Sequence, residues 1–149
     1  MTTSTDKIVV RKMRPADAKE ISRISSSITR GESRNDFQNI IAKQAESRTD
    51  ASFVALKGKR LVGYCISHEL SGSFDTKNSA WIANFGVDPD FMGQGIGELL
   101  AKKTLEYYQA LGILNVYTSV RWEATDLLSF YKILGFQRSE FITLCKCLE

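Results

Sequence analysis

The sequence predicts a single mixed α/β domain, and three features carry that expectation. Runs of β-branched and aromatic residues alternate with segments of helical apolar spacing. A strand, a glycine-dense turn and an amphipathic helix follow one another between residues 80 and 112. The chain's 149 residues, with a 43% apolar share and both charge signs interspersed, match one domain of the usual ~100–150 residues.

Taken in order, residues 1–6 are small and polar and are expected to fray. Residues 8–13 form a β-branched run. Arg14-Pro15-Ala16-Asp17 then opens a helix with proline in its first turn. Ala18, Ile21, Ile24 and Ile28 keep one helical face as far as Gly31. A weaker amphipathic stretch, 36–46, carries Phe37, Ile40, Ile41 and Ala45. Strands at 53–56 and 61–67 flank Lys57-Gly58-Lys59-Arg60, a hairpin turn. A strand at 80–87 ends at Asp88-Pro89-Asp90, and Ile96, Leu99, Leu100, Tyr107, Tyr108 and Leu111 mark a helix that stops at Gly112. Residues 113–120 read as a buried strand. Leu127, Phe130, Tyr131 and Leu134 make the apolar stripe of a short helix, with Thr125 as N-cap and Gly135 as stop. Residues 136–148 are expected to supply a last strand or pair of strands. The strand–helix–strand unit from 80 to 120 should be parallel with a right-handed crossover, and the other strands antiparallel.

Composition narrows the function classes. Twenty Lys and Arg against seventeen Asp and Glu give a net charge of +3, in loose groups (Lys57, Lys59, Arg60; Lys102, Lys103) without a continuous stripe. That pattern predicts no nucleic-acid partner; it fits ordinary solvated lysines, a few of them meeting an anionic ligand. The longest apolar runs fall far short of the ~20 residues of a membrane span, and the N-terminus has no signal-peptide core, so neither membrane nor export is expected. Cys65, Cys145 and Cys147 cannot all pair, and no nearby histidine completes a metal site. They read as reduced, buried thiols in a cytoplasmic protein that needs no metal.

The chemistry concentrates at Gly93, Gly95 and Gly97, directly after one strand and directly before a helix. Glycine there permits unusual φ and close approach to bare backbone, and amide N–H groups at a helix N-terminus suit phosphate. A Rossmann fingerprint fails because Glu98 stands where its last glycine belongs, and a Walker loop fails because Gly97 is followed by Glu98-Leu99. A structural turn without a ligand is the remaining alternative.

The same stretch resembles the GNAT family of N-acetyltransferases. Their hallmark, Gln or Arg, two free positions, Gly, one free position, then Gly or Ala, stands here as Met92-Gly93-Gln94-Gly95-Ile96-Gly97. The flanks Asn84-Phe85-Gly86-Val87-Asp88-Pro89 and Leu99-Leu100 match as well. A second signature, Phe130-Tyr131-Lys132-Ile133-Leu134-Gly135-Phe136, follows in the family's order, and Arg14-Pro15-Ala16-Asp17 is similar to its first helix entry. The resemblance covers nearly the whole chain. It implies a mixed central sheet with splayed parallel strands flanked by helices.

It also implies acetyl-CoA as cosubstrate. The pyrophosphate would lie on the amides of Met92, Gly93, Gln94, Gly95, Ile96 and Gly97, and the pantetheine arm along Phe85, Gly86 and Val87. A backbone N–H near Val87 would polarise the thioester carbonyl, and Tyr131 would protonate the leaving thiolate. Tyr131's place on an apolar stripe equally fits a core aromatic. Three departures stand out: Met92 replaces the usual Gln or Arg, Ala124 the frequent Asn, and Ala80-Trp81-Ile82-Ala83 carries no carboxylate. The base is therefore open among His68, Glu69, a water, or none. The expected reaction is direct transfer to a primary amine: a protein N-terminus, a lysine or a small amine. A catalytically silent acyl-CoA-binding or sensor domain is the alternative. Since many relatives dimerise, a homodimer is one assembly the resemblance implies.

Overall fold

Alternating side chains and a glycine turn build the first hairpin. In the computed structural model, which describes residues 7–29, 39, 51–70 and 78–149, β2 (Ser52–Lys57) and β3 (Arg60–Leu70) pair antiparallel around Gly58. β1 (Ile8–Lys12) adds antiparallel to β2, and β4 (Ser79–Val87) antiparallel to β3. β5 (Asn115–Thr118) joins β4 in parallel, so the five strands lie in chain order. Residues 1–6 and, apart from residue 39, the expected 36–46 helix fall outside the described residues.

The chain divides into two compact units, Met1–Thr118 and Ser119–Glu149. In the first, a 3-10 turn (Pro15–Asp17) with proline at its start leads into α1 (Ala18–Thr29). Asp17 holds that entry: its buried carboxylate accepts both Arg11 guanidinium nitrogens at 2.9 Å and the Arg14 N–H at 2.8 Å. Burial pushes this carboxyl's pKa up, but those three donors outweigh it and leave it below the ordinary range. Ala18, Ile21 and Ile24 on α1 pack on Val54, Leu61, Tyr64 and Ile66 of the sheet. Each fully buried isoleucine there contributes ~1.5–3 kcal/mol.

The other sheet face is covered by α2 (Ile96–Ala110), whose Ile96, Leu100, Ala101, Thr104 and Tyr108 are buried. A Cβ on Gly63 would stand 2.9 Å from Leu100 Cδ1 and 3.0 Å from Ile96 Cγ2, so the bare glycine sets how closely α2 sits on β3. Thr104 Oγ1 donates to Cys65 Sγ at 3.4 Å, and Ser67 Oγ lies 2.8 Å from the Tyr108 hydroxyl. Burial pushes the Cys65 thiol up to about 12, which makes it an inert core residue as expected.

The second unit contains α3 (Thr125–Ile133). Its N-cap is Ala124, with no side-chain cap, so Thr125 is the first helical residue rather than the predicted cap. Gly135 ends it at φ +96°. Residues 136–149 form no strand, contrary to expectation, and Cys145 and Cys147 are exposed rather than buried. Their alternating pattern suits a strand, but a strand exists only through a partner's hydrogen bonds, and this segment has no ladder.

Candidate active site

The glycine loop follows from how β4 ends. Asp88 closes the strand: its N–H donates to the Val62 carbonyl at 2.8 Å, and its side chain caps a 3-10 turn (Pro89–Phe91) by accepting the Asp90 N–H at 3.0 Å. The carboxylate is buried and also accepts from Arg23 on α1 and Arg60 on β3, each at 3.2 Å. Arg23 in addition reaches the Leu61 carbonyl at 3.3 Å and Glu20 at 3.0 Å. Burial alone would raise the Asp88 pKa; the Asp90 N–H and the two guanidinium groups hold it below the ordinary range. The sequence reading missed this cluster. An acid directly before Pro89, where a cap belongs, was the available signal.

Beyond the turn, Gly93 and Gly95 adopt φ +83° and +78°, a region that L side chains avoid, and a Cβ on either would point into open space. Gly95 is the N-cap of α2, whereas Gly97 lies inside the helix. The first N–H groups of α2, from Ile96 onward, have no intrahelical acceptor and point out of the helix start. Met92 and Gln94 are exposed on this loop and Ile96 is buried beneath it.

The strand leading into the loop is open on one side. β4 pairs with β5 only over Ser79–Ile82, while β3 pairs with it as far as Val87. A β-bulge marks the parting: Ile66 faces Asn84 and Ser67 faces Ile82, leaving Ala83 as the extra residue. Since the Asp88 N–H points at β3, strand alternation turns the N–H groups of Val87 and Phe85 the opposite way, toward the side β5 has left. Gly86 is required for another reason. A Cβ there would stand 2.8 Å from the Tyr64 hydroxyl and 2.9 Å from Ile28 Cδ1, which ties the strand to α1.

The two base candidates separate. On β3, Tyr64 and Ile66 pack toward α1 while Cys65 and Ser67 meet α2, so alternation places His68 on the α1 face and Glu69 on the α2 face. His68 stands opposite Trp81 and Glu69 opposite Ala80. Both are half-buried. Tyr131, in the second unit, is buried in edge contact with Phe130 (centroids 5.5 Å apart) and Phe136 (5.0 Å), and its carbonyl accepts the Phe136 N–H at 3.0 Å. Among the described residues, no three His, Cys, Asp or Glu side chains come together as a metal site.

A mixed five-stranded sheet, parallel strands that part halfway and a glycine loop at a helix start together define an acetyltransferase-type α/β fold. The chain belongs to the acetyltransferase (GNAT) family, whose model matches residues 18–136. An uncharacterised N-acetyltransferase of Methanocaldococcus jannaschii is 35% identical over 95 residues, which are 62% of this chain but only 42% of that protein. The N-alpha-acetyltransferase RimI of Mycobacterium tuberculosis is 26% identical over 93% of this chain and 84% of its own. Among solved structures, the aminoglycoside N-acetyltransferase AAC(6')-Iy in complex with CoA superposes with a TM-score of 0.81 over 99% of both chains, at 14% identity, a likeness of fold. No described helix is long and apolar enough to cross a membrane.

Proposed function

We propose that this chain is a cytoplasmic N-acetyltransferase that moves acetyl from acetyl-CoA to a primary amine, residues 1–149 acting as one domain. The observation that carries the reading is the open backbone of residues 83–87 running into the open glycine loop. An amide-bearing arm fits as the missing neighbour of Phe85–Val87, and a diphosphate fits over the loop and helix-start N–H groups. Acetyl-CoA supplies both chemical features and an activated thioester.

The chain's own groups then have defined tasks. Met92, Gly93, Gln94, Gly95, Ile96 and Gly97 hold the phosphates through main-chain N–H groups. The loss of the usual Gln or Arg at Met92 removes a side chain but leaves its backbone. Phe85, Gly86 and Val87 align the arm, and the outward Val87 N–H donates to the thioester carbonyl as negative charge grows on its oxygen. The amine nitrogen bonds to the acetyl carbon, the carbon–sulfur bond breaks, and the sulfur leaves with a proton from the Tyr131 hydroxyl. A phenol of pKa ~10 can donate to a thiolate whose acid lies near ~8.5. The proton shed by the amine goes to water or to His68, the candidate on the face shared with α1.

RimI's name points to an α-amine and that of the aminoglycoside enzyme to a sugar amine; the acceptor class is any such accessible primary amine. An α-amine of pKa ~7.7–8.0 is partly neutral near pH 7.5 and needs no strong base. The absence of a carboxylate on β4 favours one second reading, a silent acyl-CoA-binding domain.

Two measurements test the proposal. Acetyl-CoA should raise the melting temperature in a concentration-dependent way, equivalent to ~2.7 kcal/mol at a hundredfold excess over Kd. Gly95→Asp should abolish that rise while the protein stays folded, because the new side chain meets no protein atom and the left-handed φ costs an aspartate only ~1–2 kcal/mol. Unchanged binding by this variant would remove the loop from the site. Release of free coenzyme A with a panel of amines and peptides separates transfer from silent binding.

A further inference from the structure

We propose that Lys57 is a phosphate-binding residue of the glycine-loop site, bringing from the β2–β3 hairpin the positive charge that Met92 does not provide. The inference rests on the acyl-CoA reading of the loop. Lys57 ends β2, and its ammonium donates to Gln94 Oε1 at 2.9 Å, within the loop itself. It also lies 5.7 Å from the centroid of the Phe91 ring, in the turn that leads into the loop.

Charge balance separates Lys57 from its neighbours. Arg23 and Arg60 are balanced together by two carboxylates, Glu20 at 3.0 Å from Arg23 and Asp88 at 3.2 Å from both, and Lys102 by Glu98 at 3.1 Å. Lys57 has a neutral amide oxygen and an aromatic face, and among the described residues no carboxylate lies within ion-pair distance of it. An ammonium has three donors, and the contact with Gln94 occupies one. The stem is half-buried and the aromatic ring steadies the head, so the charge is held beside the loop at reduced entropic cost. Met92, the loop position where the family carries a polar side chain, is 61% exposed and has no polar side-chain group for an anion, its own N–H lying 3.5 Å from the Pro89 carbonyl. The site therefore combines main-chain N–H groups with one uncompensated cation on a neighbouring element. That is the chemistry of a diphosphate or phosphomonoester cradle.

Titration calorimetry with coenzyme A and with dephospho-coenzyme A, on wild type, Lys57→Met and Lys57→Arg, tests this. Methionine keeps the stem on Phe91, so melting temperatures without ligand should agree. Lys57→Met should weaken coenzyme A binding ~5–10-fold near 50 mM salt, the difference shrinking near 500 mM, and Lys57→Arg should restore most of it. An equal loss with both ligands places Lys57 on the diphosphate; a loss confined to coenzyme A places it on the 3'-phosphate. Wild-type affinity in Lys57→Met at low salt overturns the proposal while leaving the loop reading intact. A wild-type protein that binds neither ligand removes both.

Discussion

Replacing Asp88 by Asn keeps the shape of the side chain and its ability to cap the 3-10 turn, and removes only the charge. Wild-type Asp88 is buried and receives two guanidinium contacts at 3.2 Å and one backbone N–H at 3.0 Å. Breaking a fully buried ion pair costs ~3–5 kcal/mol. Here the Arg23 and Arg60 side chains are 36% and 50% exposed and can turn back to water. That discount leaves ~1.5–2.5 kcal/mol for Asp88→Asn, and ~1 kcal/mol more for Asp88→Ala, which also loses the cap. Because the folded-state pKa is depressed, the stabilisation is complete above the unfolded value of ~3.9 and disappears as pH falls through the lower folded value. Urea denaturation at neutral pH should show the full gap between wild type and Asp88→Asn, and the gap should narrow as pH falls below the unfolded value of ~3.9. A gap below ~0.5 kcal/mol at neutral pH, or one that does not change with pH, would refute the assignment of this carboxylate as the charged anchor of the β4 corner.

Tyr131→Phe removes one hydroxyl while Phe130 and Phe136 still pack on the ring. Turnover should drop ~10²-fold or more with acetyl-CoA affinity and melting temperature nearly unchanged, whereas a purely structural tyrosine would show the reverse. If no side chain acts as base, kcat/KM should rise with pH along the acceptor amine's own titration and His68→Ala should cost little. A loss of ~10²-fold at His68, or at Glu69 on the opposite face, would identify the base.

The order of the described elements up to Thr118 was legible because each had a local cause: the Gly58 hairpin, the helical spacing on α1 and α2, and Gly112 after α2. The parallel pairing of β4 with β5 was legible for a topological reason, since a helix joins them. What periodicity could not reveal was non-local. The bulge at Ala83 lies in the pairing of β4 with β3, just where β5 stops, and the Asp88 cluster gathers residues from α1, β3 and the turn that are far apart in sequence. The expected strand in 136–148 failed for the complementary reason, since an alternating pattern states a preference and not a partner. At the site, the glycine turn before α2 was legible at Gly93 and Gly95, while Gly97 falls inside the helix. The separation of His68 from Glu69 became visible only once the faces of β3 were known.

The bulge at Ala83 also sets a reading frame. Downstream of it, Asn84 and Gly86 face α1, as Ser79 and Trp81 do upstream, a phase shift that one inserted residue creates. Removing Ala83 would leave those faces unchanged, because Asn84 would then alternate directly with Ile82. One residue added between Asn84 and Phe85 without a second bulge would instead exchange them, directing a larger side chain at Tyr64 and Ile28 and turning the Val87 N–H into the ladder with β3. Apart from Gly86, substitutions along this strand can be absorbed one at a time. An added residue cannot, so the segment from Asn84 to Val87 is constrained by count before it is constrained by residue type.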